Sequence, residues 1–405
     1  MTSRERILAA LNHRPVDRVP VDLGGTRQSG IAALAYAALR EEIGLDTSVP
    51  FKVFDLYQQL AELEPGVLER FGSDTLPLNR PKVAFGIENR DWKPFRFFDG
   101  PEVLVPGGFQ PETTEKGSLV LKKGDGIIAE MPKNGFYFDR YEKYPGASQP
   151  DLDSWEPPRI GDADLEHYAA ESRRLFEETD KAIIAAMGPP YELFNGIGQG
   201  GFEDWMVTFA TEDEYVEELY GRLTDAWIDN LKHFHEAVGD RVQVIQIADD
   251  LGTQESQFLS TAMFREKVMP FYQRGIDWIH ANTSWKVLLH SDGAIFDLIP
   301  SLIEMGVDAL NPIQTSARGM DPDKLAAAYG GKITFWGGSC DSQNTLGTGS
   351  PAEVREQTLA HLESFRPLEG GFVFASVHNI QANVPPENII TLFDTAREFA
   401  GGRPE

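Results

Sequence analysis

Two histidines and an aspartate are the residues of this chain best suited to chemistry. The apolar stretch Val287-Leu288-Leu289 runs straight into His290-Ser291-Asp292-Gly293, and a second apolar stretch, "FVFASV", ends in His378-Asn379. Two imidazoles and a carboxylate suit Zn²⁺ with an open coordination position, or another divalent metal. The plainer reading makes His290 and Asp292 an ordinary hydrogen-bonded pair. The residue types alone leave both readings open.

Such groups can act together only if the elements that carry them end at one place. Eight short β-type stretches are readable, at 19–22, 74–78, 182–187, 242–250, 286–292, 307–314, 333–337 and 372–378. They are continuous apolar runs rather than alternating ones, as expected of parallel strands buried on both faces. Helical patterns with recognisable starts separate them. Thr211 with Glu214 in "TEDE" and Ser350 with Glu353 in "SPAE" read as capping boxes, and Asp321-Pro322 opens another helix. This alternation predicts an α/β fold, a (β/α)8 TIM barrel formed as a single domain over 1–405. An open doubly wound sheet fits less well, because no glycine-rich dinucleotide loop follows the first strand. Residues 85–145 break the pattern. They are aromatic and glycine-rich, with a hairpin turning at Gly124-Asp125-Gly126, and read as an antiparallel β insertion serving as a lid or a surface flap.

In a barrel the chemistry gathers at the C-terminal ends of the strands. Read in order, those ends offer Asp22 followed by Arg27 and Gln28; Asp249 and Asp250; His290 and Asp292; Asn311 and Gln314; Ser339, Cys340 and Asp341; then His378 and Asn379. So many polar groups at the ends of buried strands point to a ligand. Taken singly, Asp22 or Asp249 reads as a helix cap. Cys340 could be a soft ligand, although a lone buried thiol is the commoner outcome. His13, His167, His233, His235, His280 and His361 fall on expected helices or near the N-terminus and are assigned no chemistry.

The bulk properties narrow the partners. A net charge of −26 over 405 residues repels nucleic acid and anionic membrane surfaces. One cysteine excludes an internal disulfide and suits a reducing, cytoplasmic setting. No stretch has the length of a membrane span or of a signal-peptide core.

Across nearly its whole length the chain resembles the uroporphyrinogen decarboxylase superfamily, which includes the corrinoid-linked methyltransferases. The resemblance rests on "LNHRPVDRVPVD", "DDLGTQESQFLSTAMFREKVMPFY", "LLHSDGAIFDLIPSLIEMGVDALNPIQ" and "FASVHNIQANVPPENI". It implies the same barrel and, as often in that superfamily, a homodimer. The decarboxylase branch needs no cofactor and holds its substrate's carboxylates with arginines of an Arg-Gln-Ala-Gly-Arg motif. Here "RQSGI" keeps Arg27 and Gln28 and puts Ile31 at the second arginine. An aspartate expected after "FGSD" is missing from "TLPLNRP", and the family's tyrosine is matched by Gly196. The family's C-terminal histidine matches His378.

The methyltransferase branch binds zinc through a His-x-Cys motif on strand five and a late cysteine on strand eight. His290, Asp292 and His378 fall on those three positions. The exchange of two thiolates for oxygen and nitrogen makes the site harder and better suited to polarising a substrate oxygen. The resemblance therefore implies a metal-dependent methyltransferase acting on a small oxygenated molecule. His290, Asp292 and His378 would hold the metal, and Asp249 or Asp250 would move the proton, His378 serving the chemistry as well. Arg27, Gln28, Asn311, Gln314 and Asn379 would place the substrate. No Asp-x-His-x-x-Gly corrinoid signature occurs, so the corrinoid would arrive on a partner protein. The alternatives are a cofactor-free decarboxylase of uroporphyrinogen III or a smaller acid, and a barrel that binds a ligand without turnover.

Overall fold

The computed structural model describes residues 1–138, 140–141, 150–194 and 201–400. Seven parallel strands form one sheet in chain order: Thr75–Pro77, Ala182–Ala186, Val244–Ala248, Lys286–His290, Ala309–Asn311, Thr334–Trp336 and Phe372–Val373. The eighth member is residues 20–22, too short to form a regular strand. It nevertheless bonds on both sides. Asp74 N donates to Val21 O at 2.7 Å, Asp22 N donates to Phe374 O at 2.7 Å, and Phe374 N donates to Pro20 O at 2.8 Å. The sheet thereby closes on itself as a (β/α)8 barrel.

The two-residue period of a strand sorts the side chains. Ile183, Ala185, Ile245, Ile247, Val287, Leu289, Leu310, Phe335 and Phe372 face the surrounding helices in one apolar cluster. Ala182, Ile184, Val244, Leu288, Ala309, Trp336 and Val373 face the barrel interior in another. The N-terminal helix Ser3–Leu11 adds Ile7, Ala10 and Leu11 to that interior cluster and so plugs the lower end. Its capping box is complete, Thr2 accepting from Glu5 N. Arg6 fixes the plug through Asp17 at 2.6 Å and the fully buried Asp74 at 2.7 Å, and Arg18 also holds Asp74.

The helix starts at Ser350 and Asp321 form as the sequence indicates. The one at Thr211 does not. One helix ends at Thr211, whose hydroxyl donates back to Val207 O, and the next begins at Asp213 with no side-chain cap. Ten helical residues precede Thr211, and a hydroxyl already inside a helix finds the carbonyl four residues back before any forward amide.

The segment after the second barrel strand is antiparallel. Lys93–Arg96 pairs with Glu102–Val105, and Glu112–Thr113, Leu119–Lys123, Gly126–Met131 and Arg140–Tyr141 form a four-stranded sheet with its turn at Gly124-Asp125. Its aromatic content supplies its packing: Phe95 lies 4.9 Å from Phe97 and 5.2 Å from Phe109, and Phe85 lies 4.9 Å from Phe138. Tyr137 OH donates to Gln381 Oε1 at 2.7 Å, tying this sheet to the loop after the eighth strand. Among the described residues no helix is long and apolar enough to cross a membrane.

Candidate functional site

Strand phase places His290. Leu288 faces the barrel interior, so the residue two further on faces it as well, at the point where the strand ends. There Nδ1 bonds Asn311 Oδ1 at 2.8 Å. A carbonyl oxygen can only accept, so Nδ1 carries the proton and Nε2 is left toward the cavity. Asp292 Oδ2 stands 3.5 Å from that Nε2 and 3.9 Å from His378 Nε2. One ligand atom from each of His290, Asp292 and His378 lies within 4.8 Å of the others.

Two loops brace this trio. The "HSDG" turn lies against the "DDLG" turn of the preceding strand so closely that side chains are excluded. A Cβ on Gly293, whose φ is +98°, would sit 2.3 Å from Gly252 C. Ser291 Oγ accepts from Leu251 N at 3.0 Å, Asp250 Oδ1 accepts from Asp292 N at 3.1 Å, and Gln314 Oε1 accepts from Gly293 N at 2.7 Å.

The local charges are strongly coupled. Burial would lower the His290 pKa, but the hydrogen bond and charge of Asp292, helped by Asp250, raise it to about 9. Burial would raise Asp292, and His290 overrides it to hold that carboxyl below the usual range. Burial lowers His378 and raises Asp250. Asp292 faces the two imidazoles here across 3.5 and 3.9 Å, with His290 buried and the other two half-buried. The donor set and its spacing fit a divalent cation.

The trio opens on a cavity of about 760 Å³, whose walls include Arg27, Gln28, Asp55, Arg80, Gln246 and Asp250. Arg27 Nε pairs with Asp55, and Gln246 Nε2 donates to Gln28 Oε1 at 2.9 Å. Phe54, Tyr57, Phe85 and Tyr191 supply apolar wall.

Several residues expected at the substrate are spent elsewhere. Asn311 holds His290 and donates to Trp336 O, Gln314 holds Gly293, and Asn379 Nδ2 donates to Gln58 Oε1 while its Oδ1 accepts from Gln381 Nε2. None of the three is among the cavity-lining residues. Asp249 lines the cavity, but its Oδ2 accepts from Tyr272 OH at 2.7 Å and Phe194 N at 2.5 Å, which leaves Asp250 as the more open carboxylate. Asp22 caps no helix. Fully buried, it accepts from Gly25 N, Ser29 Oγ, Thr75 Oγ1 and Trp336 Nε1, pinning the first loop to the barrel. Cys340 is a buried thiol 3.0 Å from Gln357 Oε1 and belongs to no ligand group. The six other histidines do not line the cavity, and Gly196 lies outside the described residues. Arg80, Asp55 and Gln246 were not anticipated. The strand-end rule, extended past the second strand, points at Asn79 and Arg80; Asp55 and Gln246 carry no local signal.

The family model described as uroporphyrinogen decarboxylase (URO-D) matches residues 130–399. The chain belongs to the uroporphyrinogen decarboxylase family. It is thereby placed among enzymes. A uroporphyrinogen decarboxylase of Anaeromyxobacter dehalogenans (strain 2CP-C) is 24% identical over 97% of this chain and 98% of its own. Another from Azoarcus sp. (strain BH72) is 24% identical over 66% of this chain and 73% of its own. Among solved structures, a methyltransferase from Methanosarcina mazei superposes with a TM-score of 0.59 at 17% identity, covering 98% of this chain and 99% of that one. At that identity the likeness is one of fold, and it agrees with the barrel described above.

Proposed function

We propose that this member of the uroporphyrinogen decarboxylase family is a metal-dependent methyltransferase, taking a methyl group from a small oxygenated substrate. The observation that carries the reading is the convergence of His290, Asp292 and His378 within 4.8 Å at the wall of a cavity large enough for a small ligand. A divalent metal, Zn²⁺ or another, held by these three would supply Lewis acidity toward a substrate oxygen. The methyl acceptor would be a corrinoid carried by a separate protein, since the chain has no corrinoid signature of its own.

The chain's own groups do the rest. Asn311 orients the His290 ring and leaves Nε2 for the metal. When the substrate's carbon–oxygen bond breaks and the methyl leaves, the oxygen needs a proton. Asp250, 4.0 Å from His290 Nε2 and open to the cavity, is placed to deliver it. Arg27, held by Asp55, and Gln28, held by Gln246, form a fixed polar wall for orienting the substrate. We take 1–405 as one barrel unit and the 85–145 segment as its cover, because Phe85 and Gly86 line the cavity.

A second reading, decarboxylation without a cofactor, draws on Arg27 and Arg80 in the same cavity and on the two curated relatives. Elemental analysis separates the two. The methyltransferase reading expects one divalent metal per chain, lost in His290→Ala and Asp292→Ala. Metal-free protein with undiminished turnover, tolerant of Asp292→Ala and abolished by Arg27→Ala, leaves decarboxylation instead.

A further inference from the structure

Arg80 is a cation of the cavity that this reading leaves without a task. It follows the second barrel strand, Thr75–Pro77, in the segment where the family resemblance led to an expected aspartate. Its guanidinium donates to Ala186 O at 3.2 Å, and among the described residues no carboxylate forms an ion pair with it. The neighbouring cations are already partnered: Arg27 by Asp55, and Lys82 by Asp164 at 3.8 Å. Its side chain is exposed to the cavity, yet the surrounding protein desolvates it enough to lower its pKa, against the longer-range pull of Tyr168, Asp55 and Glu192. A cation in that position gains most from an anion that arrives with the ligand.

Topology says where that anion lies relative to the chemistry. Strand two and strand five are three places apart in a ring of eight, so Arg80, which reaches the end of strand three at Ala186, and His290 enter the cavity from different sides. A ligand touching both spans the mouth, with Phe54, Tyr57, Phe85 and Tyr191 lining the same cavity. We propose that Arg80 is an anion-binding residue that selects substrates bearing a carboxylate on an apolar body, remote from the oxygen that reacts at the His290–Asp292–His378 trio. The planar guanidinium pairs with a carboxylate through two parallel hydrogen bonds, and a lysine there would offer only a point charge.

The assignment of the reacting end rests on the metal reading, whereas the anion site rests on Arg80 itself, and one experiment keeps them apart. Binding of benzoate and hexanoate is compared with that of benzamide and hexanamide by calorimetry. The proteins are the full-length wild type, Arg80→Gln, Arg80→Lys and His290→Ala. The wild type should prefer at least one acid over its amide by about tenfold, as expected of a charge-assisted hydrogen bond. Arg80→Gln should lose that preference, Arg80→Lys should keep part of it, and His290→Ala should keep it whole even if its metal is gone. Equal preference in wild type and Arg80→Gln, or no preference in the wild type, overturns the proposal. So does a preference lost in His290→Ala alone, which would put the carboxylate at the imidazoles. Failure of the metal reading appears separately, in metal content.

Discussion

His290 donates from Nδ1 to the side-chain oxygen of Asn311 at 2.8 Å, which leaves its other ring nitrogen facing Asp292. Asn311 is thus a positioning residue, buried and fixed in turn by its bond to Trp336 O. Replacing the partner of a metal-binding imidazole typically costs about 10–100-fold in metal affinity. Asn311→Ala should show that loss in competition with a chromophoric chelator. A fall in unfolding midpoint with unchanged metal affinity would instead assign Asn311 a purely structural role.

The adjacent aspartates should separate on substitution. Asp250→Asn removes the open carboxyl and should lower turnover by about 10²–10⁴-fold while metal content stays at wild-type level. Asp249→Asn exchanges an acceptor for a mixed donor and acceptor opposite Tyr272 OH and Phe194 N, and should lower thermal stability first. The reverse pattern would move the proton-transfer role to Asp249.

Gly293 tests the contact between the two loops. Gly293→Ala places a Cβ 2.3 Å from Gly252 C at a φ of +98° and should cost well over 1 kcal/mol, because backbone faces backbone and neither can yield. Gly44→Ala is the control. Its φ is also positive, at +72°, but nothing lies within 4 Å, so only about 1 kcal/mol of conformational strain is expected. Equal losses in denaturant titrations would show that the loops separate at little cost.

Cys340 gives a signed pH effect. Burial pushes the thiol up to about 12, whereas an unfolded thiol titrates near ~8.5. Between those values the folded state binds the extra proton. The contribution is therefore complete below ~8.5 and is lost as pH climbs toward 12. Wild type should lose stability between about pH 8.5 and 10 more steeply than Cys340→Ser, and native protein should resist thiol alkylation until unfolded.

At the opposite end of the barrel, Arg6→Ala should cost about 3 kcal/mol, near the lower limit for breaking a buried ion pair, because Arg18 still holds the fully buried Asp74. A loss below 1 kcal/mol would show that the plug is secured by its apolar face alone.

Much of the fold was legible because parallel strands buried on both faces announce themselves as apolar runs, and all eight lie where the sequence placed them. Residues 20–22 were legible for the same reason, although their ladder is too short for a regular strand. The trio of His290, Asp292 and His378 came from strand order alone. The amides lie off the cavity wall because a strand end fixes where a residue sits but not which neighbour takes its side chain. Asn311, Gln314 and Asn379 each found a partner within the protein before reaching the cavity. Arg80 was hidden in a loop between prolines, where neither periodicity nor motif marks it.

The helix that stoppers the barrel also sets an order of events. Ile7, Ala10 and Leu11 pack into the lower end of the barrel, and the cavity opens at the other end, where the strands finish. If the proposed corrinoid protein docks over that mouth, it would stand where a small molecule enters. The small molecule would then have to arrive first, and what remains of it would leave only after the partner withdraws. Turnover under that reading would be a queue, and inhibition by excess partner protein would be its kinetic signature.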